Sequence, residues 1–135
     1  MSDWYLRNRA RSRRLFDLIA DEAYYSRPIA LRHPIVFYEG HLPAFSFNTL
    51  MKGALGAPSI EPPLEVLFAR GIDPDESVPG LPQSAAGHAA RWPSRDVVRA
   101  FGDAVDRRIV DALQNAELDQ EGHPLLDRAE AVFSI

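Results

Sequence analysis

Apolar residues recur at helical spacing in three long stretches of the chain and begin to do so in a fourth, and no run alternates apolar with polar residues as a half-buried strand would. In the first stretch Trp4, Leu15, Leu18 and Ile19 fall on one side, and Ser2 with Asp3 stands where a cap is needed. The pattern predicts a helix to about Tyr24 with that stripe toward the core. Asn8 and Arg11 interrupt the stripe, either as stems with polar ends reaching water or as the polar lining of a cavity. "YYSRPIALR" reads as a connector, because Pro28 drives Arg27 toward an extended conformation. A second helix is predicted from Pro34, which fits the first helical position, to about Leu55, where Gly53, Gly56 and Pro58 end it. Pro34, Phe37, Tyr38, His41, Phe45 and Asn48 share one face of it, read as the core face.

From about residue 57 to 93 prolines break the pattern, and only "LEVLFARG" reads as a short helix. A loop of that length in a compact domain is usually functional, mobile or a cover over a site. Regularity returns in "WPSRDVVRAFGDAVDRRIVDALQNA", with Ser94 as N-cap, Asp96 in the first turn, and Val97, Phe101, Val105, Ile109 and Ala112 as the expected core stripe. "HPLLDRAEAVFSI" starts another helix whose apolar pattern is still running at Ile135. This predicts a fourth helix cut short, and so a chain that is the N-terminal piece of a longer protein. Exposed Leu126, Val132 and Phe133 on such a helix would promote self-association. The expected fold is an all-α, up-down helical bundle spanning residues 1–135 as one domain.

Composition narrows the chemistry. At 135 residues the chain can bury a core, and 46% apolar with 25% charged residues is ordinary for a water-soluble domain. The absence of cysteine excludes disulfides, thiolate metal sites and cysteine nucleophiles, so any metal must sit on His, Asp or Glu. No apolar run reaches the ~20 residues of a membrane span, and the expected location is the cytoplasm. A net charge of -4 argues against nucleic-acid binding. The basic run "LRNRARSRR" puts Arg7, Arg11 and Arg14 on one stripe and Arg9 and Arg13 elsewhere, the spread of a solvated helix surface.

The most informative stretch is "HPIVFYEGHLPAF". Pro43 gives no N–H to the Glu39 carbonyl and its ring crowds that carbonyl, so the helix is expected to bend about a turn from His41 and re-aim the imidazole. That imidazole is then either a metal ligand or a hydrogen-bonded core histidine. His33 lies eight residues earlier, about 12 Å along the axis, too far to share an ion, and is expected to support the helix start. His123 repeats the His-Pro context, and His88 lies in the proline-rich region beside Trp92. The visible chain contains no phosphate loop, G-x-S-x-G elbow, dinucleotide fingerprint or i, i+4 histidine pair.

"LRHPIVFYEGHLPAFSFNTL" resembles the N-terminal DinB-like domain of the ergothioneine and ovothiol sulfoxide synthases, and "LFARGIDP", "WPSRDVVRAF" and "HPLLDRAEAVFSI" are similar to later segments of the same domain, in the same order. The resemblance implies a non-haem iron(II) enzyme that uses oxygen to join a thiol to the imidazole ring of a histidine-type substrate. It implies an iron held by three histidines, of which His41 matches the one in the Gly-His pair. The other two belong to an H-x-x-x-H-x-E motif expected about where this chain stops. Substrate binding would fall largely to a following domain like the formylglycine-generating enzyme, so the 135 residues alone are expected to carry no catalytic residue. Tyr38 and Phe45, a turn either side of His41, and Pro43 would pack around the imidazole. Two other readings stay open: a helical scaffold without enzymatic activity, and a fragment of a DinB-like metal-dependent thiol transferase.

Overall fold

The computed structural model describes residues 1–29, 31–69, 92–116 and 123, and among them every regular element is helical. In chain order these are α1 (Ser2–Asp17), α2 (Asp21–Tyr24), α3 (Ile35–Ser46), a π-helix continuing it (Phe47–Ala54), α4 (Pro62–Phe68) and α5 (Arg95–Asn115). The all-α expectation holds. The predicted last helix and most of the proline-rich segment lie outside the described residues.

The centre of the fold is α3 with its π-helical extension, buried on several sides. Val36, Phe37, Ala44, Phe47 and Leu50 are fully buried and join Phe68 of α4 and Val98, Phe101, Val105 and Ile109 of α5 in one apolar core. Pro34 caps α3 from an extended conformation instead of opening its first turn. Helical structure runs through Pro43 without interruption and widens only at Phe47. The extension ends at Gly56, whose φ of 62° suits a residue without a Cβ, as its N–H bonds the Lys52 carbonyl and that of Ala57 bonds Met51. The predicted core face needs correction. Pro34 and Phe37 are buried, but Tyr38, His41, Phe45 and Asn48 form a half-buried flank, because α4 and α5 approach from the side of Gly40, Pro43 and Ala44.

α5 begins as expected, with the Ser94 hydroxyl accepting from the Val97 N–H. Its stripe is turned from the one anticipated: Val98, Phe101, Gly102, Val105, Ile109 and Leu113 are buried, whereas Val97 is exposed and Ala112 half-buried. Gly102 lies on this face beside the Pro43 ring, whose Cγ would be 3.8 Å from a Cβ placed there.

α1 departs most from expectation. It ends at Asp17, and its first turn is capped by Met1 with no side-chain bond from Ser2 or Asp3. Arg95 explains the break: its guanidinium donates to the Ile19 carbonyl at 2.9 Å and the Asp21 carboxylate at 2.7 Å, and stacks over the Tyr24 ring at 4.2 Å. Ala20 is correspondingly extended and α2 starts afresh. Trp4, Leu15 and Leu18, expected in the core, are 49%, 61% and 80% exposed. The inward side carries Tyr5, Asn8, Arg9, Ser12 and Phe16 instead. It faces a matching polar row on α5 and α3, with Tyr5 and Arg9 donating to Asp106, Arg13 paired with Asp103, and Asp17 bound to Arg99, which also donates to Glu39. Arg7, Arg11 and Arg14 are exposed, as the charge pattern indicated.

Candidate functional site

His41 owes its setting to the residue before it. A Cβ on Gly40 would fall 2.6 Å from Cδ1 of Phe68 and closer still to Cε1 and Cζ, so glycine is what lets the end of α4 lie flat on α3. With α4 docked there, the Phe68 carbonyl, one of the last-turn carbonyls that lack an intrahelical donor, reaches Nδ1 of His41 at 2.7 Å. A carbonyl oxygen only accepts, so in the neutral ring Nδ1 carries the proton and Nε2 keeps its lone pair. This is the arrangement in which an outer carbonyl fixes the tautomer and orientation of a metal-binding imidazole. Gly40 and His41 therefore work as a unit.

Aromatic rings hold the imidazole on both sides along the helix. The His33, Phe37, His41 and Phe45 rings succeed one another at intervals of four residues, with centroids 4.1, 5.1 and 6.1 Å apart in turn. Phe37 stacks on His41 at an interplanar angle of 25°. Phe45 follows a turn later, tilted 32° to the imidazole. Tyr38 makes a T-shaped contact with Phe37, with centroids 5.4 Å apart. Pro43 packs toward Gly102 of α5 rather than toward the imidazole. His33 is a buried core residue, 2% exposed, with Phe37 between it and His41. It precedes the Pro34 cap of α3 and stacks in the interior against Phe37. His88 lies outside the described residues, and His123 is half-buried.

Among the described residues no three His, Cys, Asp or Glu side chains gather in a way that could hold a metal ion. What the structure offers is one oriented imidazole. Sequence reasoning did not find Phe68 or Phe37 as its partners; the Gly-His pair and the short helix in "LEVLFARG" were both visible, but nothing in either string says that they touch.

The chain is similar to Ergothioneine biosynthesis protein 1 of two fungi. It is 32% identical to the Neurospora crassa protein over 92 residues, which are 68% of this chain and 10% of that protein. To the Schizosaccharomyces pombe protein it is 34% identical over 85 residues, 62% of this chain and 11% of the relative. The chain thus spans about a tenth of the length of these curated relatives. No family model matches it.

A surface groove of about 550 Å³ lies away from His41, between α1 and α5. Leu6 and Val110 supply apolar lining, and Arg9, Arg13, Asp103 and Asp106 pair across it. Burial and then the Asp106 carboxylate push the Tyr5 phenol well up, so it stays a hydrogen-bond donor to Asp106. Burial and then Glu39 do the same to Tyr24. Tyr5, Arg9, Arg13, Asp103 and Asp106 already satisfy one another in the manner of a seam between helices, whereas the buried Tyr24 hydroxyl has no hydrogen-bond partner among the described residues. Among the described residues no helix is long and apolar enough to cross a membrane.

Proposed function

We propose that this chain is the N-terminal part of an iron(II)- and oxygen-dependent sulfoxide synthase of the ergothioneine or ovothiol type, in which His41 is one of three histidine ligands. The observation that carries the reading is the Nδ1–H of His41 committed to the Phe68 carbonyl, which leaves Nε2 as a donor for a metal. The similarity to two proteins named for ergothioneine biosynthesis supports the same reading. A single imidazole fits one coordination position; the other two histidines would come from a later H-x-x-x-H-x-E helix. Bound iron(II) supplies the oxygen activation for sulfoxide formation. The residues of this chain hold and orient one ligand, and Phe37 and Phe45 shield it along the helix. In this reading a thiol and a histidine-type substrate bind mainly to a following domain like the formylglycine-generating enzyme, in the cytoplasm, and this chain alone is inactive.

Iron content tests it. In the longer protein that the reading requires, His41→Ala should lose most of its iron while helicity, read by circular dichroism, stays near wild type. Unchanged iron stoichiometry removes His41 from the site. The exposed Trp4, Leu15 and Leu18 favour a second reading, a helical scaffold whose outer α1 face binds other protein. Under that reading this chain self-associates in sedimentation, and a clean monomer at high concentration counts against it.

A further inference from the structure

We propose that Glu65 is a positioning residue for His41, acting through α4 as a latch that holds the Phe68 carbonyl on the imidazole. Glu65 is 1% exposed, an environment that a carboxylate tolerates only when its oxygens are occupied. They are. Oε1 accepts the backbone N–H groups of Ile60 and Glu61 at 2.7 and 3.0 Å, and Oε2 accepts from Lys52 Nζ at 2.9 Å. Lys52 sits on the π-helix and also donates to Ser59 at 3.1 Å. Pro62 and Pro63, which open α4, have no N–H to satisfy, so one side chain both caps this helix and ties it to the π-helix.

α4 has only seven residues, too few to persist as a helix without tertiary anchors. Its two buried anchors are Glu65 and, three positions later on the same side, Phe68, with Leu64 and Leu67 packed partly against the core beside them. Phe68 fits against Gly40 and its carbonyl accepts the hydrogen bond of the His41 Nδ1–H. Release at Glu65 therefore lets α4 rotate or fray and withdraws the acceptor that fixes the His41 tautomer. The functional meaning of this latch rests on the reading of His41 as an iron ligand; its geometry does not.

The test needs no metal. Two-bond proton–nitrogen correlation spectra report which ring nitrogen of a histidine is protonated, and His41→Gln assigns the signal. In the wild-type chain the Nδ1–H form of His41 should dominate. Glu65→Gln and Lys52→Met should each lower the ratio of Nδ1–H to Nε2–H by about fivefold or more, the equivalent of one hydrogen bond of ordinary net strength. Arg9→Gln, which breaks a pair in the α1 seam instead, should leave the ratio unchanged although it also costs stability. Lys52→Met keeps the buried carboxylate's backbone bonds, so it decides the matter if Glu65→Gln does not fold. A wild-type ring protonated at Nε2, or an unchanged ratio in the folded variants, overturns the proposal. A latch that sets the tautomer in a protein whose iron ignores His41 upholds the role of Glu65 and overturns the proposed function alone.

Discussion

Alanine at position 40 would put a methyl group where the Phe68 ring now lies. The new Cβ would stand 2.6 Å from Cδ1 of that ring, against a normal carbon–carbon contact of about 3.5–4.0 Å. Phe68 has nowhere to retreat, since it is fully buried and stacked on Trp92 and Phe101, each 6.3 Å away by ring centroid. Either α4 backs off, at an overpacking cost of about 1–3 kcal/mol, or the ring leaves and forfeits most of the ~3–5 kcal/mol lost on truncating a buried phenylalanine. Against both stands a gain of up to about 1 kcal/mol for replacing glycine inside a helix. The balance is a net loss of about 2 kcal/mol, since the two routes bracket that value. Urea unfolding followed by circular dichroism reads it directly. Gly102→Ala supplies the contrast within the same core: its Cβ would meet only the tip of the flexible Arg9 guanidinium at 3.4 Å and Pro43 Cγ at 3.8 Å. There the helix gain survives, and the variant should be unchanged or up to about 1 kcal/mol more stable. A Gly40→Ala protein as stable as wild type would refute the docking of α4 described above.

Two further outcomes follow from buried carboxylates. Burial works to raise the Glu65 carboxyl, but Lys52, the backbone N–H groups of Glu61 and Ile60, and Ser59 together bring it below the usual range. The folded chain thus binds this proton less readily than the unfolded one. The stability Glu65 contributes is present above the unfolded value of about 4.3 and lost as pH falls through the lower folded one. Glu65→Gln should flatten that acid limb, and identical limbs in the two proteins would show that another group sets it. On α3, Glu39 is 9% exposed and holds Arg99 at 3.1 Å through Oε1, while Oε2 has no hydrogen-bond partner among the described residues. Arg99→Met strands that charge and should cost no more than the low end of about 3–5 kcal/mol, because Arg99 is itself partly solvated. Adding Glu39→Gln should recover most of the loss in thermal melts, and equal losses in the single and double variants would contradict this reading.

The helices at the centre of the fold were legible because their apolar residues recur over many turns and Ser94, Pro34 and Gly56 mark their limits. Rotation of those helices was less so. Val97 and Val98 are equally apolar in sequence, and Val98 is the buried one because it lies on the face of α5 that carries Phe101, Gly102 and Val105 into the core. α1 misled for a stronger reason: its apolar stripe is exposed, and it is bound through charges whose partners lie about a hundred residues away on α5. Periodicity within one segment carries no information about a complementary charge on another. At the candidate site the string "GH" and the aromatic spacing around it were visible, whereas the role of Phe68 depends on a backbone carbonyl, a group that every residue has.

The setting of His41 also assigns different tasks to residues only two positions apart. His41 and Pro43 are separated by about 200° around the helix, so one turn of α3 serves two neighbours, with Gly40 and His41 toward α4 and Pro43 and Ala44 toward the core and α5. Proline gives up a helical N–H there, but its ring is buried in the space left by Gly102, which offsets part of that loss. The imidazole is aimed by a different device: a carbonyl delivered by a short helix that Gly40 admits and Glu65 ties down. Substitutions at Pro43 should therefore register mainly as changes in stability, whereas substitutions at Gly40 or Glu65 should also change which nitrogen of His41 carries the proton. That separation places the chemistry of the site in the contact between α3 and α4.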